Sequence, residues 1–134
     1  MTFDRRSHCP IAFALDLFGD KWSLLILRDL IFKNKNSYQD FLKSEEGIST
    51  NILADRLERL KREGFIHSRR DAENGRKIIY SPTGKALDLI PLILEIIDWS
   101  AKHDPKTAAP KEFLKALEKD RIALARQFRS KFEK

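Results

Sequence analysis

The chain has 134 residues, a formal net charge of +6, 42% apolar and 34% charged residues, which suits one helix-rich globular chain with a sizeable core rather than a disordered one. No apolar run has the length of a signal peptide's core or a membrane span, and one cysteine cannot form an intrachain disulfide, so a cytoplasmic location is expected. Residues 56–77 and 111–134 each carry eight Lys or Arg against four Asp or Glu, and such basic stretches suit nucleic acid or an anionic surface.

In chain order, Pro10 suits the first turn of a helix, Ile11, Leu15 and Phe18 follow at helical spacing, and Gly19 stops the run. Asp20 is a good N-cap for a second helix, "KWSLLILRDLIF", whose continuous apolar residues imply burial. Ser37 caps a third helix, "YQDFLKS", with Asp40 in a capping-box position. "EEGIS" makes a turn around Gly47, and Ser49 caps a fourth helix, "TNILADRLERLKRE", that Gly64 ends.

Two helices joined by a short glycine-containing turn form a helix-turn-helix pattern. Leu53, Leu57 and Leu60 share one face of the fourth helix, with Ile48 beneath them. Asn51, Asp55, Glu58, Arg59 and Arg62 lie opposite, with Thr50 in the first turn. An ordinary surface helix would show the same pattern, with Asp55 and Glu58 four residues before Arg59 and Arg62. The next segment favours DNA. "FIHSRRDAENGRKIIYSP" reads as two strands around Asn74-Gly75, a hairpin signal because both residues tolerate positive φ. Arg69, Arg70, Arg76 and Lys77 crowd its tip. A basic hairpin after a recognition helix is a wing, able to reach phosphates or the minor groove. The candidate DNA-binding residues are therefore Ser37 and Ser49 at the helix starts, Thr50, Asn51, Ala54, Asp55 and Arg59 on the helix, and those four cations. Asn51 can bond adenine bidentately, and Ala54 can meet a thymine methyl.

The expected fold is mainly α with a small β-hairpin, a winged helix-turn-helix with additional N- and C-terminal dimerisation helices. A helix from Thr83 to Ser100 has apolar residues over roughly two-thirds of its circumference, against the ~100° stripe a surface helix needs. The excess suggests a second copy of the chain, with Ile90, Ile93, Leu94, Ile97 and Trp99 in the seam. The alternative is cover by the C-terminal segment, which has its own stripe at Phe113, Leu117, Leu124, Phe128 and Phe132.

The sequence resembles the HxlR-type winged-helix transcriptional regulators of bacteria and archaea. The resemblance rests on "CPI" at 9–11, "GDKWSLLILRDL" at 19–30, "GISTNILADRLERLKREGFI" at 47–66, "YSPTG" at 80–84 and "DWS" at 98–100. Pro82 and Ala86 depart from the Leu and Gly usual there. The resemblance implies residues 1–105 as the DNA-binding domain with its dimerisation helix, and leaves 106–134 as a basic amphipathic helical extension. It also implies a homodimer on double-stranded DNA, whose two-fold symmetry makes a near-palindromic operator the expected site.

Cys9 precedes Pro10 at a helix start, with Arg5 and Arg6 nearby, so its thiolate is favoured. Some family members resemble redox sensors with a cysteine here, which makes Cys9 a candidate sensor. A buried, inert cysteine is the plainer alternative. His8, His67 and His103 are scattered, and no Gly-rich phosphate loop or nucleophile elbow occurs, so no metal, cofactor or catalysis is expected. A basic adaptor binding RNA or anionic surfaces without sequence specificity is the competing reading.

Overall fold

A computed structural model of the protein describes residues 6–133. The chain divides into two compact units, one up to Ala86 and one from Leu87 onward. The first contains α1 (Pro10–Phe18), α2 (Ser23–Phe32), α3 (Tyr38–Leu42), α4 (Thr50–Arg62), β1 (Ile66–Arg70) and β2 (Ile78–Pro82). A single turn, α5 (Gly84–Leu87), runs across the division, and the second unit holds α6 (Ile90–His103), α7 (Lys111–Lys119) and α8 (Arg121–Ser130).

Local chemistry sets the element ends in the first unit. Pro10 opens α1, and the Gly19 N–H closes it on the Leu15 carbonyl at 2.8 Å. A Cβ at Gly19 would lie 2.5 Å from that oxygen, so close approach rather than backbone conformation demands glycine. Helix α2 begins two residues later than its sequence suggests. Trp22 therefore takes the N-cap position foreseen for Asp20, whose Oδ2 accepts from the Trp22 and Ser23 N–H groups at 3.0 Å each in the turn that leads into the helix. The Ser37 and Ser49 hydroxyls cap α3 and α4 by accepting from Asp40 N–H and Ile52 N–H, both at 3.3 Å. Gly64, at φ 82°, ends α4 with Phe65 N–H on the Leu60 carbonyl and Gly64 N–H on the Lys61 carbonyl. That pair of bonds is a Schellman motif, which explains the glycine.

The core of this unit is formed by Ile26, Leu27, Leu30, Ile31, Phe41, Leu53, Leu57, Leu60 and Phe65, all buried. Buried Asp29 joins α2 to the turn before α4. It accepts from Arg28 and from the Ser44 hydroxyl, while Arg28 grips Glu46 with two bonds of 2.7 and 2.9 Å. The strands pair antiparallel from Ile66 opposite Pro82 to Arg70 opposite Ile78. Pro82 occupies the end of the ladder, where the Thr83 N–H bonds the Phe65 carbonyl at 3.0 Å, so its missing donor does no harm.

The second unit corrects the unbroken helix expected over 83–100 and adds detail to the rest. The helix foreseen from Thr83 to Ser100 is broken between Leu87 and Ile90, because Pro91 has no N–H for the preceding turn and its ring collides there. The C-terminal extension is two helices, separated at Asp120, whose carboxylate caps α8 by accepting from Ala123 N–H at 3.0 Å. Helix α6 packs against both of them, with Leu117 and Leu124 buried and Arg121 bonded to Glu95 and Asp98. Ile90, Ile93 and Leu94 are buried within the single chain, so they are not surface residues that a partner can reach. The apolar residues that α6 exposes are Leu92, Ile96 and Trp99, at 39%, 43% and 64%. Ile97 is half-buried.

Candidate nucleic-acid interface

Helix α4 is amphipathic in the sense a recognition helix requires. Leu53, Leu57 and Leu60 are buried, whereas Thr50, Asn51, Ala54, Asp55 and Arg62 are exposed. The Tyr38 hydroxyl donates to the Thr50 carbonyl at 3.1 Å, fixing the first turn of α4 to α3. Two of the foreseen contact residues are bonded within the fold. Ser37 is buried, with its hydroxyl committed to the α3 cap. Arg59 is half-buried and donates to the Asp16 carbonyl of α1, a fold-internal bond that its spacing on α4 did not reveal. Asp55 pairs with its neighbour Arg56 rather than with Arg59.

The wing is present, but its tip is a seven-residue loop, 71–77, rather than a two-residue turn. Neither Asn74 nor Gly75 has positive φ. Asn74 instead accepts from Arg76 N–H through its side chain at 3.2 Å and from Lys77 N–H through its carbonyl at 2.9 Å. Asparagine is thus used for its oxygens. The Asp71 N–H closes the loop on the Lys77 carbonyl at 2.8 Å, and Arg70 braces it through a 2.8 Å bond to the Gly75 carbonyl. Arg69, Arg70, Arg76 and Lys77 are all exposed.

Between α3 and the wing runs an open groove of about 700 Å³, with Tyr38, Gln39 and Lys43 on one wall and Asn74, Arg76 and Lys77 on the other. Asp40 also lines it. Burial raises the Asp40 carboxyl, but donation from Asn36 and Ser37 and the nearby Lys77 charge outweigh this and leave it below its ordinary value. Sequence reasoning did not single out Gln39 and Lys43. Their spacing of four residues, which puts both on one face of a short helix, was the available signal.

Cys9 is exposed at the N-cap of α1. The backbone N–H groups of Ala12 and Ile11 lower its pKa. Arg6 pairs instead with Asp16 at 2.8 Å, and Arg5 lies outside the described residues. Among the described residues no group of three or more His, Cys, Asp or Glu could hold a metal, and no helix is long and apolar enough to cross a membrane.

Residues 17–108 match the family model described as HxlR-like helix-turn-helix. The chain belongs to this family. The HxlR-like chain is 34% identical over 95 residues to the uncharacterized HTH-type transcriptional regulator YdeP of Bacillus subtilis (strain 168), covering 71% of this chain and 73% of that one. It is 33% identical over 92 residues to the regulator sll1512 of Synechocystis, covering 69% and 67%. Among solved structures it is similar to PA1607, a candidate transcription factor, at TM-score 0.69 and 35% identity over 79% of this chain and 74% of that one. The redox regulator HypR in its oxidized form is similar at TM-score 0.63 and 25% identity, over 71% and 97%. The HxlR-like protein is a DNA-binding helix-turn-helix transcriptional regulator, not an enzyme.

Proposed function

We propose that the protein acts in the cytoplasm as a homodimer that recognises a specific operator, with α4 in the major groove and the wing on phosphate or the minor groove. The carrying observation is α4 itself. Its leucines anchor it in the core while Asn51, Ala54 and Asp55 are exposed on its outer face, and the wing that follows carries the exposed cations Arg76 and Lys77. Gln39 and Lys43, across the groove from the wing, extend the same surface. The apolar stripe at Leu92, Ile96 and Trp99 supports a second copy as the partner. A two-fold dimer presents each reading helix twice, so the operator is a near-palindrome with half-sites about 10 base pairs apart or a multiple of that. A redox input through Cys9 is favoured by its exposure and stabilised thiolate, and by the likeness to the redox regulator HypR.

Binding titrations over a salt series, on DNA retained from the protein's own genome and on scrambled DNA and RNA, test the reading. Asn51→Ala removes a base contact and costs about 1–3 kcal/mol on the operator alone. Arg76→Ala removes a phosphate contact, weakens operator and scrambled DNA together, and lowers the slope of log K against log salt by about one. Equal affinity of the unaltered protein for operator, scrambled DNA and RNA would favour the adaptor reading instead.

A further inference from the structure

We infer that Arg56 and Arg59, two cations of the DNA-reading helix, are positioning residues that hold α4 against the end of α1 and touch no DNA. The inference rests on the proposed placement of α4 in the major groove. Residues 56 and 59 are three apart, and at 100° per residue they fall on the flank between the buried leucines and the outer Asn51, Asp55 and Arg62. Both are half-buried. Arg56 Nε donates to Asp20 Oδ2 at 2.9 Å, and a second nitrogen of the same guanidinium bonds Asp55. Arg59 donates to the backbone carbonyl of Asp16, in the second half of α1.

Asp20 makes this more than a pair of surface bridges. Its carboxylate accepts from the Trp22 and Ser23 N–H groups and the Ser23 hydroxyl as well as from Arg56, so the end of α1, the start of α2 and the flank of α4 meet at one side chain. Each bond is charge-assisted and partly shielded from water, the setting in which such contacts are strong and directional. To reach phosphate, either arginine would have to abandon oxygens that already satisfy it and leave Asp20 or the Asp16 carbonyl short of a donor. A reading helix loses discrimination when its side chains are displaced by fractions of an ångström, so a pair that fixes its angle acts on specificity without contacting a base.

The test uses the full chain and substitutes lysine as well as alanine. Lysine keeps a charge that would serve a phosphate contact but lacks the planar fork that spans two acceptors. Arg56→Lys and Arg59→Lys are expected to lose about tenfold in operator affinity, the size of one hydrogen bond to a charged group, while affinity for scrambled DNA and the salt slope stay those of the unaltered protein. Arg56→Ala and Asp20→Asn should show the same signature, and combining them should add little further loss. Retained operator affinity in both lysine variants, or a slope reduced by about one in Arg56→Ala with operator and scrambled DNA weakened together, would overturn the inference. Should an alanine variant fail to fold, the lysine variants decide. An unaltered protein that already fails to prefer its operator would instead defeat the proposed function itself.

Discussion

At the scale of single residues, Cys9 shows how a helix end sets reactivity. It occupies the N-cap of α1, and the Ala12 and Ile11 N–H groups of the first turn lower its pKa and favour the thiolate. That stabilisation exists only while α1 is formed. The rate of alkylation of the native protein should therefore rise with pH through a midpoint below that of the urea-unfolded chain. A native midpoint equal to the unfolded one would remove the physical basis for sensing, and operator affinity unchanged after full oxidation would remove the sensing itself. Ser37 and Arg59 teach the converse lesson at the same scale. Both belong to residue types that contact DNA, yet both are already bonded within the fold.

At the scale of elements, what could be read from the sequence was what local chemistry decides. Helix α4 was legible because Ser49, the leucine spacing and Gly64 act within a turn or two of one another. The existence of the wing was legible from its strand-forming residues, but the shape of its tip was not, since Asn74 serves equally in a positive-φ turn and in a loop closed by its oxygens. The break before α6 has a local signal in Pro91, although the apolar residues on both sides of it read as one continuous run. The inward turn of Arg59 was not legible at all, because its acceptor lies 43 residues away. Asp20 belongs to this scale as the residue that ties the turn before α2 to α4. Burial raises its carboxyl, but hydrogen bonds from Ser23, Arg56 and the Trp22 N–H prevail and hold it at about 2, below its ordinary 3.8. A carboxyl lowered by folding contributes stability that is complete above its ordinary value and is lost as pH falls through about 2. Urea unfolding across that acidic range should show a steeper loss for the unaltered protein than for Asp20→Asn; parallel curves would mean the carboxylate adds nothing to stability.

At the scale of the whole molecule, the apolar excess of residues 87–100 is divided between two uses. Part of α6 is buried within the chain, and part, at Leu92, Ile96 and Trp99, faces outward. Two substitutions on one helix should therefore fail differently. Ile93→Glu buries an unpaired charge and should destabilise the fold by several kcal/mol. Ile96→Glu leaves the fold near its native melting temperature but should shift sedimentation from dimer to monomer and abolish operator binding. A folded Ile96→Glu protein that still sediments as a dimer would place the seam elsewhere, and the exposed Ile11 and Leu15 of α1 are then the next surface to alter.

The division of labour on α4 also bears on how such a protein diversifies. Its outer positions Asn51 and Ala54 are exposed, whereas the bonds of Arg56 to Asp20 and of Arg59 to Asp16 run along a separate flank. Substitutions at these two positions are therefore nearly independent of those that hold the helix in place, whereas Asp55, bonded to Arg56, is coupled to them. A duplicated gene could acquire a new operator by drifting at those outer positions alone, keeping a scaffold that never has to be solved again. The converse also holds: transplanting the outer residues onto a relative would carry the recognised sequence with them only where the recipient keeps equivalents of Asp20, Arg56 and Arg59.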